Sequence, residues 1–222
     1  WMTIAPFAST DVLRVPPTHR GPAVVRVGLL GLGQVGAAVA RLAAAGPPTR
    51  RAGIEITAAL VRDPLRARAV MGVRATTDAD AVFATRPTVI VEALGGLEPA
   101  RTLVLDALAR GIPVVTANKS LLAHHGNELA DAAARAGVSL RFEASVVAGV
   151  PFLGAFARRP YAAALTSITG IVNGTTNFIL SRMQAGAGDY GAALAEAQRR
   201  GFAEPDPSKD VDGIDAAEKL LI

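Results

Sequence analysis

The chain has 222 residues, of which 50% are hydrophobic and 19% are charged, a composition that predicts one large domain or one and a half ordinary ones and excludes a largely disordered chain. Its net charge is +4, and because the arginines are scattered along the chain, we expect no nucleic-acid partner. The chain contains no cysteine, which excludes a disulfide framework, a thiolate metal site and catalysis through a thioester.

Nothing in the sequence predicts a membrane segment or a histidine metal site. The longest apolar run, near residues 144–157, contains Pro151 and is too short to span a bilayer, and residues 1–10 lack the pattern of a secretory signal. The three histidines are too few and badly placed to bind a metal. We therefore expect no membrane partner, and the absence of cysteine is consistent with the cytoplasm.

Predicted strands and helices alternate through most of the chain, after a loose, proline-rich lead-in over residues 1–23. Strands are predicted over residues 24–30, 54–61, 88–94, 112–118 and 138–144, and helices over residues 31–46, 98–111 and 120–137. Continuous apolar strands joined by helices form parallel sheets that are covered on both faces. Residues 24–143 are therefore predicted to be a Rossmann-type, doubly wound α/β domain, and residues 144–222, where the alternation stops, a second domain.

Three glycines lie at the junction of the first predicted strand and the first predicted helix. Gly31, Gly33 and Gly36 form the pattern G-x-G-x-x-G. Gly31 allows a tight turn, Gly33 lets the backbone approach a pyrophosphate, and Gly36 lets the helix pack closely on the sheet. The free amides and the dipole of the helix N-terminus favour the phosphates. In this strand–turn–helix context the motif predicts dinucleotide binding.

The end of the second predicted strand indicates which dinucleotide is bound. Arg62 follows that strand and is able to pair with a 2′-phosphate, which favours NADP. Asp63 is next in the chain and keeps NAD possible, because an acidic residue here binds the ribose hydroxyls. The alternative is that both are solvated loop charges.

Two further loops follow predicted strands and therefore lie at the same edge of the sheet. Gly95 and Gly96 follow the third strand, and Lys119 follows the fourth. Ligands of open parallel sheets bind beyond the carboxyl ends of the strands, so we expect the glycines to approach the cofactor and Lys119 to lie near the nicotinamide. A solvated lysine at a helix start is the alternative, although the helix dipole disfavours a cation there.

The last twenty residues gather acidic side chains around two lysines. Asp215 and Lys219 are four residues apart and share one helical face, and Glu204 lies in a loop that two prolines stiffen. An ordinary ion pair, worth about 0.3 kcal/mol, is one explanation of the spacing. The other is a site in which the acidic loop binds an ammonium group and the helix supplies a proton.

Several long segments of the chain resemble homoserine dehydrogenases. They are GLGQVG, VTANK, EASVVAGVP, GIVNGTTNFIL and AQRRGFAEPDPSKDVDGIDAAEKL, and the resemblance extends over residues 25–222. It implies an oxidoreductase that uses NAD(P) to interconvert L-aspartate 4-semialdehyde and L-homoserine, in the aspartate-derived route to threonine and methionine. The partner implied is thus a small amino-acid substrate.

The resemblance also assigns roles to individual residues. The cofactor would be lined by Gly33, Gln34, Val35, Gly95, Lys119 and Gly201. Glu204 and Asp215 would hold the substrate, with Glu204 placed for its ammonium group. Lys219 would donate the proton to the aldehyde oxygen, with Lys119 as a second candidate, because an ammonium group stabilises the negative charge that hydride addition creates.

A structural sodium ion is implied as well, held by Glu143 and the main-chain oxygens of Val146, Ala148 and Val150. The family's catalytic domain continues beyond the lysine helix, so residues 144–222 are expected to be an incomplete α+β substrate and dimerisation domain. A homodimer is expected where that domain is complete. Two alternatives stay open: a non-catalytic dinucleotide-binding fragment of such an enzyme, and another Rossmann reductase, such as a sugar or dihydrodipicolinate-type reductase.

Overall fold

The structure of the protein is a computed structural model that describes residues 24–45, 53–64, 72–147, 149–157 and 167–222. The described residues form two compact units, a first unit within residues 24–157 and a second unit within residues 167–222. The predicted lead-in over residues 1–23 lies outside the described residues.

The first unit is built on one parallel sheet. Its strands are β1 (Val25–Leu30), β2 (Ile54–Leu60), β3 (Ala75–Thr76), β4 (Val89–Glu92), β5 (Val114–Thr116) and β6 (Leu140–Arg141). They lie in the order β3-β2-β1-β4-β5-β6, and every neighbouring pair is parallel. The order reverses between β1 and β4, which is where a doubly wound sheet opens a ligand crevice. The predicted Rossmann-type fold is confirmed.

Helices cover both faces of this sheet, as the predicted alternation requires. They are α1 (Gln34–Ala45), α2 (Ala79–Phe83), α3 (Ala100–Ala109) and α4 (Lys119–Ala136). The longest, α4, begins after Asn118, whose side-chain oxygen accepts a hydrogen bond from the Leu121 amide at 3.1 Å. It ends at Gly137, which adopts the left-handed conformation that favours glycine, with φ of 66°.

Among the strands of the sheet and the helices that cover it, two short elements, β3 and α2, were not predicted from the sequence. A strand of two residues carries no periodicity, and β3 exists because it pairs with the outer side of β2. The five-residue helix α2 buries only Val82 and Phe83. Its start is marked by Asp78, whose side chain accepts a hydrogen bond from the Asp80 amide at 2.9 Å, and this capping residue was the available sequence signal.

Apolar side chains from the central strands and from α3 and α4 form the core. Leu29, Ile90, Val104, Val114 and Leu121 are each fully buried. Full burial of an aliphatic side chain stabilises the fold by about 1.5–3 kcal/mol, so these residues hold the strand ends in place.

Beyond β6 the first unit continues through a 3-10 turn, Glu143–Ser145, and the helix α5 (Phe152–Ala157). The Glu143 carboxylate accepts hydrogen bonds from the amides of Leu153 at 2.7 Å and Gly154 at 2.9 Å, and so caps α5. This unit thus extends past residue 143, where the sequence predicts a domain boundary, and that boundary stays a prediction.

The second unit consists of α6 (Gly174–Gln184), α7 (Tyr190–Arg199), α8 (Ser208–Val211) and α9 (Ile214–Leu221), with their connecting loops. The helices α6 and α7 pack around Ile179, Ala193, Ala197 and Ala203. An ion pair of 2.8 Å between Arg182 and Glu196 joins them. In the described part of the chain, no helix is both long enough and apolar enough to cross a membrane.

Candidate functional site

The glycine turn after β1 has a different steric requirement at each glycine. Gly31 has φ of 100°, and a Cβ atom there would lie 2.6 Å from the Ala93 main-chain oxygen. At Gly36 a Cβ atom would lie 2.0 Å from the Gly31 main-chain oxygen, so α1 packs against the turn as closely as a glycine permits. A Cβ atom at Gly33 would meet no described atom within 4 Å. Gly31 and Gly36 thus serve the turn itself, whereas Gly33 faces open space.

An open cleft of about 480 Å³ lies beside this turn. It is lined by residues 31–33, 60–63 and 93–94, which follow the carboxyl ends of β1, β2 and β4. Its volume falls within the range of small-molecule sites. Gln34 and Val35 are the first residues of α1 and are exposed next to the turn. The turn, the exposed helix start and the position at the reversal of strand order fit a dinucleotide pyrophosphate.

Arg62 and Asp63 both line this cleft, so the residues that would select NADP or NAD are on the same wall. The Arg62 side chain is exposed and Asp63 is half-buried. An arginine is suited to a 2′-phosphate, and an aspartate is suited to ribose hydroxyls. One wall of the cleft therefore presents groups suited to either cofactor.

Gly95 lies on the loop that follows β4, and Lys119 follows the loop after the adjacent strand β5. Lys119 is the first residue of α4 and is half-buried. A hydrogen bond of 2.7 Å from the Asn118 side-chain amide to the Gly96 main-chain oxygen joins the two loops. These two predicted cofactor residues are therefore brought to one edge of the sheet.

In the second unit, Asp215 and Lys219 form a buried ion pair. Their side-chain atoms are 2.7 Å apart, and the side chains of Asp215 and Lys219 are only 11% and 17% exposed, respectively. The Lys219 ammonium also donates a hydrogen bond to the main-chain oxygen of Val172. A surface ion pair would lie in solvent and contribute little. This pair is instead held within the fold, and its role in a site stays a prediction.

Asn173 organises this pair from the start of α6. Its side-chain amide donates hydrogen bonds to Asp215 at 2.9 Å and to Asp210 at 2.7 Å. Its side-chain oxygen accepts a hydrogen bond from the Thr176 amide at 2.7 Å and caps α6. No role was predicted for Asn173 or Asp210. The only available signal was an asparagine in the capping position before Gly174, which does not reveal its contacts with residues some forty positions away.

Glu204 and Gly201 lie on the loop between α7 and α8, and the Glu204 side chain is exposed. Gln198 donates a hydrogen bond of 3.2 Å to the Glu204 main-chain oxygen, which fastens this loop to the end of α7. Lys219 contacts the buried Asp215 and the Val172 main-chain oxygen, whereas the Glu204 side chain is exposed.

The expected sodium ligands are only partly described, because Ala148 lies outside the described residues. Both Glu143 carboxylate oxygens accept amides of α5, and the Val150 main-chain oxygen accepts a hydrogen bond from the Phe152 amide at 2.7 Å. Val146 follows the 3-10 turn. In the described ranges, no group of three or more acidic or histidine side chains has the arrangement of a metal site. The sodium site stays a prediction.

Comparison with known proteins gives consistent matches along the chain. A family model described as "Homoserine dehydrogenase, NAD binding domain" matches residues 31–143, and one described as "Homoserine dehydrogenase" matches residues 151–222. A homoserine dehydrogenase of Synechocystis is 42% identical over 206 residues, which cover 89% of this chain and 47% of the relative. One from Corynebacterium glutamicum is 44% identical, with 91% and 47% covered.

Solved structures show the same similarity. A homoserine dehydrogenase from Thiobacillus denitrificans is 43% identical with a TM-score of 0.76, and the match covers 89% of this chain and 47% of that one. A hyperthermophilic archaeal homoserine dehydrogenase, solved in complex with NADPH, is 28% identical with a TM-score of 0.74, with 89% and 67% covered. The chain spans about half the length of the curated relatives described here.

Proposed function

The chain belongs to the homoserine dehydrogenase family, and on that premise we propose that it carries out the NAD(P)-dependent interconversion of L-aspartate 4-semialdehyde and L-homoserine. The observation that carries the proposal is the buried Asp215–Lys219 pair, held by Asn173 in the second unit. A surface ion pair would need neither burial nor a hydrogen bond from Asn173 to Asp215. The reaction places the protein in threonine and methionine biosynthesis.

Cofactor binding is assigned to the cleft beside the glycine turn. The pyrophosphate would lie against Gly33 and the α1 amides at Gln34 and Val35, where a Cβ atom at Gly33 would meet only open space. Arg62 lines the cleft and favours NADP. A similar archaeal homoserine dehydrogenase was solved in complex with NADPH. Gly95, Lys119 and Gly201 complete the proposed contacts with the cofactor, whose nicotinamide, when bound, supplies or accepts the hydride.

Substrate binding and proton transfer are assigned to the second unit. Glu204 is exposed and anionic, and would bind the substrate ammonium. Lys219 would stabilise the negative charge on the carbonyl oxygen and give it a proton, because charge-assisted donors act most strongly where charge develops. Asp215 would hold the substrate together with Glu204, and its 2.7 Å contact also orients the Lys219 ammonium. Lys119 is the second candidate for acid–base work.

Three further proposals follow from family membership. Residues 24–143 would bind the nucleotide, and residues 144–222 would bind the substrate. The two family models support this division, because one ends at residue 143 and the other begins at residue 151. A sodium ion would bind near Glu143, Val146, Ala148 and Val150. The second unit would contribute to a homodimer.

The test is homoserine-dependent reduction of NADP and NAD by the chain, with Lys219→Ala compared against Lys209→Ala. Lys209 is exposed in α8 and is the matched control. We expect Lys219→Ala to lower kcat by at least about a hundredfold, the range of a lost proton donor, while the Kd for NADPH is unchanged. The Lys209 variant should match the parent chain.

Three results would oppose the proposal. Unchanged turnover in Lys219→Ala would remove this lysine from the chemistry. Cofactor binding without homoserine oxidation would make this chain a non-catalytic dinucleotide-binding fragment. Turnover of other aldehydes or ketones, but not of L-homoserine, would make it a different Rossmann reductase.

A further inference from the structure

Glu92 is a fully buried carboxylate at the end of β4, with 0% of its surface exposed. It does not line the cleft, although Ala93 and Leu94, the residues that follow it, do. Burial of a carboxylate is unfavourable unless several donors surround it. A leucine would fill this strand position without that cost, so the contacts of the carboxylate need an explanation.

On one side, Glu92 holds the loop that follows β4. One carboxylate oxygen accepts hydrogen bonds from the main-chain amides of Leu94 at 2.8 Å and Gly95 at 3.4 Å. These bonds fix a loop that is rich in glycine and would otherwise have many backbone conformations. The hydrogen bond to Glu92 thereby orients the main-chain amide of Gly95, which is a proposed cofactor residue.

On the other side, Glu92 holds the loop that follows β5. Its second oxygen accepts a hydrogen bond from the Thr116 hydroxyl, and the Thr116 hydroxyl accepts one from the Asn118 amide at 3.0 Å. The Asn118 side-chain amide reaches back to Glu92 at 3.4 Å and to the Gly96 main-chain oxygen at 2.7 Å. Asn118 caps α4, so this network also sets where Lys119 lies.

We propose that Glu92 is a positioning residue that fixes the Gly95–Gly96 loop and the Lys119 helix start as one rigid edge for the nicotinamide end of the dinucleotide. The inference rests on the proposed dinucleotide binding. It assigns no contact between Glu92 and the ligand, because the side chain is completely covered. Preorganised loops bind a ligand more tightly than loops that must be ordered on binding. Loss of Glu92 therefore weakens binding only of the part of the ligand that these loops contact, which is the nicotinamide end.

The test compares two probes on the whole chain: NADPH, and 2′-phospho-ADP-ribose, which lacks the nicotinamide ring. Glu92→Met is about the same size and removes both acceptors, whereas Glu92→Gln keeps an oxygen for the loop amides and adds a donor for Thr116. We expect Glu92→Met to weaken NADPH binding by about tenfold, the effect of losing one well-ordered loop. Binding of 2′-phospho-ADP-ribose should change by less than about threefold. Glu92→Gln should remain near the parent chain for both probes.

Two further variants separate positioning from general stability. Thr57→Val removes half-buried hydrogen bonds to Val27 and Thr85 in the middle of β2, and should leave the ratio of the two Kd values unchanged. Asn118→Ser keeps the helix cap but not the bond to Gly96, so it should reproduce the selective NADPH loss even where Glu92→Met fails to fold.

Equal weakening of both probes by Glu92→Met and Asn118→Ser, or no weakening at all, would overturn the inference and leave the proposed dinucleotide binding intact. Failure of the parent chain to bind either probe would overturn both. A selective loss of NADPH binding supports the positioning role, because general destabilisation affects the two probes alike.

Discussion

At the scale of single residues, the glycine turn separates structural requirements from binding requirements. A Cβ atom at Gly36 would lie 2.0 Å from the Gly31 main-chain oxygen, whereas Gly33 faces open space. The two glycines belong to one motif and are three residues apart, yet an added methyl group would meet protein at one and open space at the other. This contrast gives a direct test of the cleft.

We expect Gly36→Ala to destabilise the fold and Gly33→Ala to impair binding alone. The 2.0 Å clash at Gly36 requires a backbone shift, which costs about 1–3 kcal/mol or more. Gly33→Ala should keep the melting temperature of the parent chain but weaken NADPH binding at least about tenfold, because its methyl group occupies the pyrophosphate position. Thermal melting measures the stability of both variants, and fluorescence titration measures their affinity for NADPH. Normal NADPH affinity in Gly33→Ala would show that the cofactor does not bind at this turn.

Asn173 combines two roles that different substitutions separate. Both serine and aspartate cap helices, so either variant should keep α6 intact. In the parent chain, Asp210 and Asp215 accept hydrogen bonds from the Asn173 side-chain amide. Asn173→Asp replaces that donor with a third carboxylate beside the two aspartates. Like charges raise the pKa of a carboxyl group in the folded state.

We therefore expect Asn173→Asp to be less stable than Asn173→Ser by about 2 kcal/mol at pH 7. A raised folded-state pKa contributes stability at low pH that is lost as the pH rises, so the difference should disappear on acidification. Melting temperatures measured between pH 3.5 and 7 give the comparison. Equal stability of the two variants at pH 7 would show that the side chain of residue 173 does not lie close to the two aspartates.

At the scale of elements, α3 and α4 are joined by an ion pair between Arg101 and Glu128. The Arg101 Nε atom donates to a Glu128 oxygen at 2.8 Å, and a second guanidinium nitrogen donates to the other oxygen. The hydrogen bond from Arg101 lowers the pKa of Glu128 below its ordinary value, with a smaller contribution from His125. Both side chains are about one third exposed, so salt screens the pair.

Glu128→Gln should lower the melting temperature at neutral pH. A carboxyl group with a lowered folded-state pKa stabilises the fold above its unfolded pKa, and that stability is lost as the pH falls. The difference from the parent chain should thus shrink below about pH 4.5, the ordinary value of this group, and shrink also in high salt. Asp131→Asn, at an exposed position of the same helix, is the control. A pH-independent difference would mean that Glu128 acts through packing.

At the scale of the whole molecule, the two units differ in how far the sequence predicts them. In the first unit, all five predicted strands are present, although β6 is only two residues long. They were recognisable because apolar runs alternate with helices that carry their own hydrophobic period. The short β3 and α2 escaped prediction, since their existence depends on neighbours. In the second unit, the sequence indicated the Asp215–Lys219 pair by its four-residue spacing, but gave no sign that Asn173 would join it.

The sequence by itself determined the alternation of strands and helices, the glycine turn and the family. These are encoded in periodicity and in contiguous motifs, which do not depend on what lies across the fold. Only the tertiary structure decided the partners of Glu92 and Asn173, because their contacts join residues 24 and 42 positions apart, respectively. Burial then turns those contacts into strong constraints, since a buried polar group must find its donors within the fold.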